Sequence, residues 1–127
     1  MPGPTEVTTA LLLKALDATA LRHQAIASNI ANVNSVDYRP LSVNFEDQLG
    51  FARAALASGS GTLTPADVAG IRPTLEQGPP PAPGTAAVML DMEMVKLSQN
   101  TLQYQALLKG ITHRAGLMSI AINEGKR

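Results

Sequence analysis

The stretch Leu90–Ile122, "LDMEMVKLSQNTLQYQALLKGITHRAGLMSIAI", decides the fold. Alternating steps of four and three along it meet Leu90, Met94, Leu97, Thr101, Tyr104, Leu108, Ile111, Ala115, Met118 and Ile122. Eight of these ten positions are apolar or aromatic, and Thr101 and Ala115 are small enough to pack. A heptad seam sustained over more than four repeats predicts one helix whose apolar edge lies along other helices. At about 1.5 Å per residue such a helix is roughly 50 Å long, more than a small domain needs. Off the seam, Leu117, Ile120 and Ala121 join Met118 and Ile122, so the end of the helix is apolar almost all round. A helix end of that kind is buried on several sides, and 127 residues hold little to bury it.

Working outward, the opposite end of the chain carries a second ladder: Leu12, Leu16, Thr19, His23, Ile26, Ile30 and Val33. Lys14, Asp17 and Arg22 fall off that line, as solvent-facing residues do. Thr8 or Thr9 is an N-cap for this helix. Asn32, Asn34, Ser35 and Asp37 favour a turn, and Pro40 pushes Arg39 out of helical geometry, so the helix is expected to end near Asn32 to Asn34.

Between the ladders, Leu41 to Phe45 alternates apolar and polar and reads as a short strand or extended segment. Glu46 to Ala57 reads as a short helix, with Leu49, Phe51, Ala52, Ala55 and Leu56 as its apolar residues and Gly50 weakening it. From Gly59 to Gly84 come five glycines and six prolines in 26 residues, including Pro79-Pro80-Pro81-Ala82-Pro83. That composition predicts a mobile connector, with some local structure allowed around Leu63 to Leu75.

The expected fold is therefore all-α, in a single domain spanning 1–127. Long N- and C-terminal helices (8–34 and 86–124) pack as an antiparallel coiled-coil-like pair. An adjoining segment (35–58) with a short helix and extended insert, and a flexible Gly/Pro-rich connector (59–85), join them. A plain helical hairpin accommodates the periodicity; packing between subunits of a helical assembly also accounts for the excess apolar edge.

Ten basic and ten acidic residues balance, which leaves no electrostatic footprint for nucleic acid or an anionic membrane. There is no cysteine, hence no thiol chemistry or disulfide framework. The longest apolar run near the start, Ala10 to Leu13, is too short for a signal-peptide core, and no run reaches the ~18 residues of a membrane span. A cleavable signal is not expected.

A search for chemistry returns packing roles. His23 and His113 lack a surrounding set of ligands with metal spacing, and His23 reads as a packed or interface residue. The pairs Glu46-Asp47 and Asp91/Glu93 read as carboxylates stabilising the free amides at helix starts. Gly59-Ser60-Gly61 lacks the Lys-Ser/Thr of a phosphate loop. Met89, Met92, Met94 and Met118 fall on seams and their flanks, as packing residues do. No catalytic, metal-binding or cofactor-binding residue is assigned, and the chain is expected not to be an enzyme.

The string Ala27 to Pro40, "ASNIANVNSVDYRP", is more specific than any of these. It resembles the N-terminal signature of the bacterial flagellar rod and hook axial proteins, where an Asn-Ile-Ala-Asn run leads into Thr-Pro-Gly-Tyr. Ser28, Asn29, Ile30, Ala31 and Asn32 match the run, and Tyr38 with Arg39 matches its tail; Ser35-Val36-Asp37 stands in place of Thr-Pro-Gly. The C-terminal stretch is similar to the closing helix of the small proximal rod subunits of that family, through Glu93, Met94, Leu97, Asn100, Leu102, Tyr104, Gln105, Ala106, Leu107, Met118, Ala121 and Ile122. Gly84-Thr85-Ala86-Ala87-Val88 departs from the Asp-Gly-Asn-Asn-Val that precedes that helix in the family. The likeness covers residues 10–52 and 86–125.

The resemblance implies a structural subunit, without enzymatic activity, that polymerises through its terminal helices into the inner tube of the rod and transmits torque across the periplasm. Its partners would be copies of itself, other rod proteins such as FlgC, the adaptor protein FliE and the membrane ring. Export would run through the flagellar type III apparatus without signal cleavage. Subunit packing would fall to Leu12, Leu16, His23, Ile26, Ile30, Leu90, Met94, Leu97, Tyr104, Leu108, Ile111, Met118 and Ile122. Ser28 to Asn32 with Tyr38 would lock the first helix to the adjoining segment.

Overall fold

A computed structural model describes residues 4–58 and 63–125, with the side chains of 4, 5, 52, 53 and 55–58 left out. The Gly59-Ser60-Gly61 tract and the last two residues, Lys126 and Arg127, therefore lie outside the described residues. The element order is α1 (Pro4–Ala31), β1 (Leu41–Asn44), α2 (Glu46–Ser58), α3 (Pro65–Ala69), β2 (Thr74–Gln77) and α4 (Ala86–Gly125). The chain is mostly helical, not purely so: β1 and β2 form a two-stranded antiparallel sheet with Leu41 opposite Gln77 and Asn44 opposite Thr74. A bond from Gly78 N–H to Pro40 C=O, 2.8 Å long, extends the ladder past its strands.

The 28-residue α1 starts four residues before Thr8. Proline is tolerated in a first turn because its missing N–H would have no intrahelical acceptor, and Glu6 supplies the carboxylate that a first turn favours. The helix ends at Ala31, just ahead of the expected stop. Asn32 N–H still bonds Ser28 C=O at 3.0 Å, but Val33 reaches only Ile30 at 3.5 Å and Ser35 closes a turn on Asn32 at 2.9 Å. The 40-residue α4 matches the predicted span to within a residue and is about 60 Å long.

Helices α1 and α4 pack antiparallel. Asn29 meets Glu93, and ten residues earlier on α1 Thr19 meets Asn100, further along α4. The core proper lies on an adjoining face of α1. There Ala18 and Ala25 pack against Val43, Phe45 and Ile71, with Leu11, Ala15, Leu21, Leu41 and Leu49 closing around them. Alanines at these positions leave room for the sheet to approach the helix.

The largest departure from the sequence reading is the connector. Val68 and Ile71 are buried, at 1% and 4% exposure, and β2 supplies half of the sheet. Local chemistry overrides the Gly/Pro-rich composition. Thr64 caps α3 in a capping box, its hydroxyl accepting from Asp67 N–H while Asp67 accepts from Thr64 N–H at 2.9 Å, and Pro65 fills the first turn. The Gln48 carboxamide then takes both backbone groups of Arg72, accepting from its N–H at 2.8 Å and donating to its C=O. Arg72, just ahead of β2, is thereby tied to the α2 start, while β2 and the run from Pro79 to Gly84 are exposed at every residue.

Candidate functional site

At the end of α1 the polar residues of the signature converge. Asn29, 4% exposed, is the hub. Its Oδ1 accepts from Leu41 N–H and from Tyr38 O–H, each at 2.8 Å. Its Nδ2 donates to Leu41 C=O at 2.8 Å and to Glu93 Oε2 at 3.2 Å. One carboxamide thus joins α1, the turn after it, β1 and α4. Tyr38 O–H also lies 3.0 Å from Ser28 Oγ, and Asn32 Nδ2 donates to Ser28 C=O at 2.8 Å, satisfying a carbonyl at the helix end.

The turn that returns Tyr38 to Ser28 passes through Asp37, whose φ of 62° is the left-handed conformation. Asp37 stands where the resembling pattern has glycine. Aspartate is among the few residues that enter this region at modest cost.

Glu93 sits eight residues into α4, beyond the turn whose amides are free, and is 4% exposed. The expectation of a helix-start role is corrected for this residue: its carboxylate faces α1, held by Asn29 and by Lys96 Nζ at 3.2 Å. Asp91 is exposed and likewise past the first turn. Glu46 and Asp47 do occupy the first turn of α2. Glu46 also pairs with Arg22 at 2.8 Å, and Arg22 reaches Val43 C=O at 3.4 Å. Seven residues after Glu93, Asn100 is 2% exposed and donates to Thr19 C=O at 2.8 Å.

The residues expected to pack subunits divide into two groups. Ile26 is buried, and Leu12, Leu16, Ile30, Leu90, Leu97 and Ile111 are half-buried within the chain. His23, Met94, Tyr104, Leu108, Met118 and Ile122 are exposed. The line that α1 buries on α4 passes through Glu93 and Asn100, one residue before Met94 and Thr101 of the apolar seam. Much of the seam is therefore turned outward. A second exposed row, Val88, Met92, Val95 and Leu102, runs along α4 beside it. From Ala115 to Gly125 every residue is exposed, including Leu117 at 54%, Ile120 at 58% and Ile122 at 58%.

Two shallow grooves flank the α1–α4 contact. One, of about 380 Å³, is lined by Arg22, Ile26, Val43, Glu93, Lys96 and Asn100. The other, of about 350 Å³, is lined by Ala20, His23, Thr101 and Tyr104 among others. Among the described residues no group of three His, Asp or Glu side chains converges as a metal site would. None of the described helices is long and apolar enough to cross a membrane. No model of a known protein family matches this chain, and no curated protein matches it.

Proposed function

We propose that this chain is a structural, non-enzymatic subunit of the proximal rod of the bacterial flagellar basal body, resembling the small rod protein FlgB. It would be exported through the type III apparatus, stand in the periplasm beside FlgC, FliE and the membrane ring, and polymerise through its terminal helices. The observation that carries this reading is the uncovered apolar end of α4, where Leu117, Met118, Ile120 and Ile122 all lie bare. Single exposed apolar residues are ordinary; four within six positions on a helix end mark a surface that another chain covers. The Ser28–Asn29–Tyr38 lock supports the same reading, since it gives the residues of the resembling signature a common mechanical task.

The deciding experiment deletes the gene in its host, images basal bodies and complements with this chain. Rings without a rod, restored by the wild-type gene and not by a variant carrying Leu117→Asp and Ile120→Asp, are expected. Normal rods and swimming in the deletion strain would sink the proposal. The sibling subunit FlgC is the alternative within the same class, separated by which deletion this gene rescues. A soluble helical adaptor or export-chaperone-like module, which the two grooves beside α1 and α4 also suit, would form a stoichiometric complex instead of a polymer.

A further inference from the structure

We infer that Glu93 and Asn100 set the register of α4 on α1, and so fix how far the apolar end of α4 projects. A heptad seam is degenerate: sliding α4 by seven residues replaces each apolar contact with an equivalent one. The ladder of α4 runs from Leu90 to Ile122 and that of α1 from Leu12 to Val33, so apolar contact alone leaves such slips open. Glu93 and Asn100 occupy equivalent positions seven residues apart, yet their partners differ in kind. Glu93 accepts from Asn29 Nδ2, whereas Asn100 donates to the backbone carbonyl of Thr19.

A slip of one heptad toward the start of α4 brings Asn100 to Asn29 and Leu107 to the Thr19 carbonyl, and leaves the Glu93 carboxylate without Asn29. The charge-assisted bond from Asn29 to Glu93 gives way at best to a neutral one from Asn29 Nδ2 to the Asn100 oxygen, and the bond from Asn100 to the Thr19 carbonyl is lost with nothing to replace it. Buried polar groups left unpaired are costly, so the native register is selected although leucine at either position would pack as well. Each slip moves the end of α4 by about 10 Å along its axis. This inference holds whether or not the chain is a rod subunit.

The test places spin labels at Asp17 on α1 and Lys109 on α4, both exposed, and reads their separation by double electron–electron resonance in chain diluted with unlabelled protein. Wild type is expected to give one narrow distribution. Glu93→Leu with Asn100→Leu should keep its helix content and give two or more populations, offset by about 10 Å of axial slip. Glu93→Gln, which preserves the acceptor, should match wild type. Should the double variant fail to fold, the decisive chain is Glu93→Leu, Asn100→Glu and Leu107→Asn, which moves the polar pair one heptad along and should move the single distribution with it. A single unshifted distribution in the folded leucine variant, or in the transposed variant, overturns the inference. So does a Glu93→Gln chain as broad as the double leucine variant.

Discussion

Asn29 treats Leu41 as a neighbouring strand would: its carboxamide accepts the Leu41 N–H and donates to the Leu41 C=O, both at 2.8 Å. A side chain on a helix thereby completes the outer edge of β1, whose other edge is paired with β2. Asn29→Ala strands Leu41, Tyr38 and Glu93 at once and should cost about 2–4 kcal/mol in urea unfolding. Asn29→Asp keeps the acceptor but sets a second carboxylate against Glu93. With the donor to Glu93 and to the Leu41 carbonyl gone, it should be less stable than wild type in urea unfolding at neutral pH. An Asn29→Asp chain as stable as wild type would refute the placement of Glu93.

Val68 measures how far the glycine- and proline-rich middle belongs to the fold. At 1% exposure, Val68→Ala should lower stability by about 1–3 kcal/mol, the cost of two buried methyl groups and the space they leave. A melting temperature within error of wild type would mean that α3 does not pack on α1. Shortening Pro79 to Pro83, where all residues are exposed, should cost less.

Asp37 tests the turn after α1. Its left-handed φ penalises branched side chains, so Asp37→Val should destabilise by about 1–2 kcal/mol, while Asp37→Gly should stay within about 1 kcal/mol of wild type. Thermal unfolding of the two variants side by side checks the ordering. Reversal of the ordering would be incompatible with the turn.

Asp67 carries a local acid sensitivity. Hydrogen bonds from the Thr64 backbone and hydroxyl hold its carboxyl below the ordinary value of 3.8. A lowered folded pKa means that α3 gains support above 3.8 and loses it as pH falls through that value toward the lower folded one. Amide resonances of Thr64 and Asp67 should report fraying of α3 in that acid range, and Asp67→Asn should remove the pH dependence. Titration of these resonances at or above 3.8 would contradict the capping box.

The two long helices were legible because apolar spacing over several heptads admits few other readings. Which side of α4 would meet α1 was not. Periodicity counts apolar residues, and the line that is buried holds Glu93 and Asn100, whose burial depends on partners on another helix. The first strand, Leu41–Asn44, was legible from its alternation, but the second escaped for a similar reason. Thr74–Gln77 is four residues long and exposed throughout, with no alternation to betray it, and Val68 and Ile71 lie in text dominated by glycine and proline. One signal there was readable: Thr64-Pro65-Ala66-Asp67 has the spacing of a capping box. The signature residues Ser28, Asn29 and Tyr38 were singled out by resemblance and do meet, but Asn29 also holds the backbone of Leu41, which no side-chain pattern announces.

Because α1 and α4 run antiparallel, the start of one and the end of the other lie toward the same end of the molecule. The hydrogen bonds of Asn29 stand toward the opposite end. A force drawing Pro4 and Gly125 apart therefore peels the helices from their open end, loading one contact at a time. The four-element junction at Asn29 is reached only after the Thr19–Asn100 contact has parted. A pull along the axis on α4 alone is resisted differently, by every contact at once, in shear. The molecule is consequently compliant to being unzipped and stiff to being slid.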